Sequence, residues 1–233
     1  MKSFIYILLT SLTFLVVGCQ NESEEIRLIN QAERLFDAYP DSVITTLDSI
    51  PLPEEMSPRL IARWCMLYAR AADKIEDEMP YTNQLEIALK YYQKKKMREE
   101  EAEIGLYLGR SYVEDKEYEK AMRTYSDALK VALAIKDYNR AGYICSYMGD
   151  LYEVDLRYIL AAEKYKESGK YFHLANNTTS YVRAFVNEGR SYMSVDSNYL
   201  ALASLKQAEV IMDSLNVENV KTYVYNGLGN IYN

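Results

Sequence analysis

Residues 102–128 read AEIGLYLGRSYVEDKEYEKAMRTYSDA, and their reading decides the fold. Gly109 is preceded by Leu108 and followed by Tyr112, Ala121, Tyr125 and Ala128. Forty residues on, Gly149 stands in the same phase with Met148, Tyr152, Ala161, Tyr165 and Ser168. Another such step gives Gly189 with Glu188, Tyr192, Ala201, Leu205 and Ala208, and a last one gives Leu228, Gly229 and Tyr232. Small and large residues held in fixed phase over a constant period are the signature of a solenoid. Leu108 and Tyr112 fall on one face of a first helix, and Ala121, Tyr125 and Ala128 on one face of a second. The polar segment Glu114-Asp115-Lys116-Glu117 separates the two as a turn. Each unit is therefore a helical hairpin with small residues where its helices approach.

This pattern resembles the tetratricopeptide repeat (TPR), whose consensus places a Leu-Gly pair, a Tyr, an Ala, an aromatic and an Ala at this spacing. The usual TPR period is roughly 34 residues, so the resemblance is to extended TPR units. The chain departs from the consensus four residues before the glycine, where Gly105, Cys145, Phe185 and Tyr225 stand in place of the favoured Trp. The resemblance implies an all-α, right-handed solenoid of about four and a half such hairpins. Units are expected near 26–50, 58–96, 102–136, 140–175, 180–215 and, in part, 219–233. The unit at 58–96 is degenerate, with Ala69 at the glycine position. At 219–233 a first helix has no second helix after it, so the C-terminus is expected to be truncated or capped by another molecule. Val224 and Tyr225 are the residues expected to pack back on the preceding helix.

Around this array the remaining segments read simply. Lys2 and the apolar run Phe4–Val17 form a short secretory leader, too short for a comfortable membrane span. Its ending, Val17-Gly18-Cys19, resembles the lipobox of bacterial lipoproteins. That resemblance implies removal of residues 1–18, lipidation of Cys19 and a tether over 19–25. Gln20 is not the Asp of inner-membrane retention, so the expected place is the outer membrane facing the periplasm, with surface exposure as the alternative. Beyond the tether, Ile29, Ala32, Leu35 and Phe36 recur at helical spacing. After Tyr39-Pro40, Asp41 or Ser42 is placed to cap the next helix, and Ser57-Pro58 opens another. PDSVITTLDSI followed by a YAR helix resembles the N-terminus of Gram-negative multi-TPR lipoproteins.

A net charge of −7 argues against nucleic acid as a partner. Lys94-Lys95-Lys96 reads as a solvated helix end. The 23 Tyr residues suit thin helical layers in which core side chains keep one end near water. No Cys/His cluster has metal spacing and no glycine-rich phosphate loop is present, so neither a metal, a cofactor nor catalysis is expected. The lone His173 reads as a surface residue, and Cys65 and Cys145 as buried and unbridged.

In TPR proteins the first helices line a concave groove at residues one after, three before and six before the glycine. Carried over, the first set is Arg70, Arg110, Asp150, Arg190 and Asn230, and the second Met66, Leu106, Ser146, Val186 and Asn226. The third is Arg63, Glu103, Tyr143, Arg183 and Tyr223. Two readings of the five arginines stand side by side. In one, Arg63, Arg70, Arg110, Arg183 and Arg190, with Tyr143, Asp150 and Asn230, hold a peptide through bidentate contacts. In the other, Arg110, Asp150 and Arg190 form a ladder between repeats and satisfy one another. Glu188, in place of leucine, is read as reaching water. The expected function is a non-catalytic, lipid-anchored scaffold that binds a protein or peptide. The alternatives are the sensory ectodomain of a longer membrane-spanning regulator and, more weakly, a nutrient-binding lipoprotein.

Overall fold

The computed structural model describes residues 23–51 and 55–232. The leader, Cys19 and most of the tether lie outside the described residues. Eleven α-helices follow one another among the described residues, with one short 3-10 turn at Glu218–Val220. Helices α1 (Glu24–Leu35) and α2 (Pro40–Asp48) make a short first hairpin. Four longer hairpins follow: α3 (Pro58–Ile75) with α4 (Thr82–Lys95), α5 (Arg98–Glu114) with α6 (Tyr118–Ala134), α7 (Tyr138–Val154) with α8 (Tyr158–Leu174), and α9 (Thr178–Met193) with α10 (Asn198–Ser214). Helix α11 (Lys221–Tyr232) is the first helix of one more unit. The expected four and a half long hairpins are present, preceded by the shorter one.

The period has an inner half that the glycines do not reveal. Helices α5 to α10 begin at residues 98, 118, 138, 158, 178 and 198. Eight non-glycine residues adopt positive φ at the same spacing: Glu76, Lys96, Lys116, Lys136, Leu156, Asn176, Asp196 and Asn216. Each ends a helix. In the α5–α6 turn the Lys116 N–H donates to the Val113 carbonyl at 3.0 Å and the Glu117 N–H to the Tyr112 carbonyl at 2.8 Å. This left-handed closure satisfies carbonyls that a helix end would leave open. Glycine is the favoured residue for it; here Lys, Leu, Asn, Asp and Glu take its place.

Close helix approach sets the rest. A Cβ built on Gly149 would lie 2.7 Å from Tyr165 Cε1, and one on Gly105 2.9 Å from the Ala128 Cβ, so both positions need hydrogen there. Tyr165 is fully buried beside Gly149, and Tyr125 beside Gly109. The single Trp64 is buried in α3, one residue before the consensus place, and its Nε1–H donates to the Leu47 carbonyl at 3.2 Å. Cys65 and Cys145 are buried and free; burial pushes the Cys145 thiol up to about 12. His173 is exposed, its ring 5.0 Å from that of Tyr181.

Three expectations are corrected. Helix α2 starts at Pro40 with Tyr39 before it, so Asp41 and Ser42 lie within its first turn and cap nothing. Ser57 does cap α3, accepting from the Leu60 N–H at 3.5 Å. Glu188 does not reach water: it is only 4% exposed, because its place in α9 is the core-facing one that Leu108 and Met148 fill elsewhere. Burial pushes its carboxyl above the usual range, with Lys166 pulling the other way. Its Oε2 has no hydrogen-bond partner among the described residues. In α11 it is Val224 that packs back on α10, while Tyr225 stays exposed. A Cβ on Gly227 would meet Leu205 Cδ2 at 2.5 Å, whereas one on Gly229 would find nothing within 4 Å.

Two hydrophobic clusters are separated along the chain by α8, whose Ala161, Tyr165 and Phe172 are themselves buried. One cluster runs from Leu28 to Leu151, and a second from Val182 to Leu228.

Candidate functional site, the concave groove

The first helices of successive hairpins pack directly on one another at α1–α3, α3–α5, α5–α7 and α9–α11, which the second helices do not match. The first helices therefore form the inner, concave wall. A contact of that closeness is missing between α7 and α9, where the two hydrophobic clusters also separate.

Most of the predicted groove residues face this wall, and the structure sorts them into two kinds. In the first half the arginines are neutralised by the groove itself. Arg63 donates to Asn30 Oδ1 at 2.9 Å and to Glu33 Oε1 at 2.7 Å. Arg70 makes a bidentate pair with Glu103, at 2.6 and 2.7 Å. Arg140 reaches the same carboxylate at 3.1 Å and also pairs with Asp137. Burial alone would raise the Glu103 pKa, but the hydrogen-bonded Arg70 and the charges of Arg70 and Arg140 hold it below its ordinary value. Arg110 pairs with Asp73 and lies 5.5 Å from the Tyr147 ring. Charge-assisted, bidentate contacts of this kind fix neighbouring repeats relative to one another.

The ladder expected for Arg110, Asp150 and Arg190 is not formed. Asp73, on the helix before, takes Arg110, and Asp150 accepts from the Tyr165 hydroxyl at 2.6 Å. Burial raises the Asp150 carboxyl, with the Arg190 charge acting against this from beyond ion-pair distance. The inter-repeat ladder exists, but on Asn30–Arg63 and Arg70–Glu103–Arg140. Glu103 stands in the carried-over set without having been picked as a site residue, and Arg140 and Asp137 were missed. A signal was available in the chain: the partners lie 33 residues apart in the first two pairs and 37 in the third.

The second half is left open. Arg183 and Arg190 are exposed and make no ion pair among the described residues. Arg183 lies 5.1 Å from the Tyr223 ring. Neutral groups stand near Arg183, while Arg190 has the Asp150 carboxylate within electrostatic reach but beyond ion-pair distance. Asn177 Nδ2 donates to Asn139 Oδ1 at 2.8 Å and to the Tyr143 hydroxyl at 3.4 Å; Tyr143 also lies 3.4 Å from Ser180 Oγ. Thr179 and Asn219 share a hydrogen bond. Asn230 is exposed at the last turn of α11. A cleft of about 620 Å³ spans the junction, with Tyr143 and Arg183 in its wall beside the paired Glu103 and Arg110. Among the described residues no group of three or more His, Cys, Asp and Glu side chains has metal-site geometry. No helix of the described residues is long and apolar enough to cross a membrane.

No protein-family model matches the sequence, and no curated protein sequence matches it. Solved structures do resemble it. The apo form of RapI superposes with a TM-score of 0.66 at 11% identity, covering 90% of this chain and 83% of that one. A Podosopora anserina protein of nearly identical TPR-like repeats gives 0.58 at 13% identity over 83% of this chain and 99% of its own. Bacillus thuringiensis PlcR, crystallised with the peptide PapR7 and DNA, gives 0.56 at 14% identity over 91% and 77%. At these identities the likeness concerns the fold alone: the chain folds as a TPR-like helical solenoid.

Proposed function

We propose that this protein is a non-catalytic scaffold that binds a protein or peptide along the concave groove, taking a carboxylate of the partner at Arg183 and Arg190. The observation that carries this reading is the contrast between those two unpaired arginines and the paired Arg63, Arg70, Arg110 and Arg140. An exposed guanidinium beside hydroxyl and amide groups offers a planar fork to a carboxylate and donors to main-chain carbonyls. The PlcR structure, in which a chain of this fold is accompanied by a peptide, agrees with such a use. The lipobox-like Val17-Gly18-Cys19 supports placement at a membrane through lipid on Cys19, on the periplasmic side of the outer membrane.

Selection from a random peptide display library tests the groove. Peptides enriched on the parent should carry Asp, Glu or a free C-terminal carboxylate. They should lose tenfold or more in affinity for Arg183→Gln/Arg190→Gln, a cost of about 1.4 kcal/mol or more. Enrichment without carboxylates, or equal affinity for the variant, contradicts the reading. For the anchor, Cys19→Ser should move the chain out of the detergent phase, and unchanged partitioning contradicts it.

A further inference from the structure

The turns that join the first helix of each hairpin to its second line one edge of the solenoid, and they change character along it. In the α5–α6 turn the chain reads Glu114, Asp115, Lys116, Glu117, Tyr118, Glu119, Lys120. At the same places in the α7–α8 turn it reads Val154, Asp155, Leu156, Arg157, Tyr158, Ile159, Leu160. In the α9–α10 turn Val195, Tyr199 and Leu200 are the large apolar members. Val154, Leu156 and Ile159 are 54%, 71% and 47% exposed, and Tyr199 is 84% exposed. The two turns lie side by side, because the Ser191 hydroxyl donates to Glu153 Oε1 at 2.6 Å.

Leu156 adds a second argument. It sits at φ 58°, a conformation that costs a residue with a Cβ about 1–2 kcal/mol and that glycine adopts freely. A leucine there contributes nothing to the core it points away from. Among the described residues the other seven helix ends in this conformation carry Glu, Lys, Asn or Asp, so the exposed leucine is the exception, which marks a contact surface rather than a folding requirement. The charge around the patch indicates what covers it. Glu153, Asp155 and Asp196 border it, and the cation Arg157 stands 3.8 Å from Asp155. An acidic rim repels anionic lipid surfaces and complements a cationic partner.

We infer that the edge formed by the α7–α8 and α9–α10 turns is a second interaction surface, which docks an amphipathic helix whose apolar stripe is flanked by Lys or Arg. It is distinct from the groove, and it goes beyond the peptide-binding reading proposed above.

The test uses the purified full chain and an 18-residue helical peptide of leucine and lysine with its leucines on one face. A scrambled peptide of the same composition serves as control. The variant Leu156→Asn/Tyr199→Ser removes one apolar side chain from each turn, and Asn suits the left-handed position, so a melting temperature not below the parent's shows that the fold is retained. The parent should bind the striped peptide at least tenfold more tightly than the scrambled one, and the variant should lose that margin. Arg183→Gln/Arg190→Gln should keep it, which separates this surface from the groove. Equal binding of both peptides, or of parent and variant, overturns the proposal. So does a variant whose only loss is attachment to neutral phosphatidylcholine vesicles, or dissociation of a homodimer in sedimentation.

Discussion

Helices α5 and α9 hold the same place in their hairpins, yet they meet the groove with opposite chemistry. Six residues before the glycine, α5 carries Glu103 and α9 carries Arg183; one residue after it they carry Arg110 and Arg190. Glu103 is buried between Arg70 of α3 and Arg140 of α7, while Arg183 is exposed and borders a tyrosine ring. The residue one after the glycine in one first helix faces the residue six before it in the next. That geometry makes the Asn30–Arg63 and Arg70–Glu103 contacts. Asp150 and Arg183 occupy the corresponding places on α7 and α9 with complementary charge, but no ion pair joins them. There the inner helices are less closely packed and the two hydrophobic clusters separate. The lesson is that one repeat geometry carries a self-neutralised wall on α3, α5 and α7 and an open one, with two arginines outside any ion pair among the described residues, on α9.

The largest expected effect sharpens the difference between covered and uncovered helix faces. Gly149→Leu must displace the Tyr165 ring and should cost about 1–3 kcal/mol or more. Gly229→Leu, with open space at its Cβ position, should be neutral or stabilise by up to about 1 kcal/mol through helix propensity. Thermal or urea unfolding of both variants checks this; equal losses contradict the assigned phase.

Next comes the wall itself. Arg70→Ala removes the bidentate partner of a carboxylate whose side chain is only 12% exposed, and should cost about 1–2 kcal/mol, the low end because Arg140 remains. Arg183→Ala should change stability by less than about 0.5 kcal/mol. The Glu103 pKa is depressed in the fold. Its contribution is therefore present above the ordinary carboxylate range and is lost as pH falls through the depressed value. The acid limb of the parent's stability curve should accordingly be steeper than that of Arg70→Ala.

A comparable or slightly smaller change of opposite sign is expected at Glu188. Replacing this buried, half-partnered carboxylate by the leucine of the other units should stabilise the fold by about 1–2 kcal/mol at neutral pH. The Glu188 pKa is raised from 4.5, so the folded state binds the proton more tightly than the unfolded chain does. Stability then falls as pH rises from the ordinary carboxylate range through the raised value, and Glu188→Leu should flatten that slope. Chemical unfolding at several pH values reads both effects.

The repeat phase was legible because hydrogen at Gly109 and Gly149 and the rings of Tyr125 and Tyr165 are two sides of one contact, and both sides are written in the chain. The half-period was not. Left-handed helix ends are recognised by glycine, and here Lys116, Leu156 and Asn176 occupy them. Glu188 was misplaced because a carboxylate is ordinarily solvated, and nothing in one sequence distinguishes a buried exception. The groove positions could be carried over residue by residue, but the pairings could not. Whether Arg110 turns back to Asp73 or forward to Asp150 depends on side-chain competition across the stack, in which Tyr165 takes Asp150.

The division of the groove can be read directly from arginine side-chain Nε–H correlations in a nuclear magnetic resonance titration with a short glutamate peptide. The Arg183 and Arg190 signals should shift with added peptide, while those of Arg63, Arg70 and Arg140, already held by carboxylates, should stay in place. Comparable shifts in both groups, or shifts confined to the first, would contradict the account.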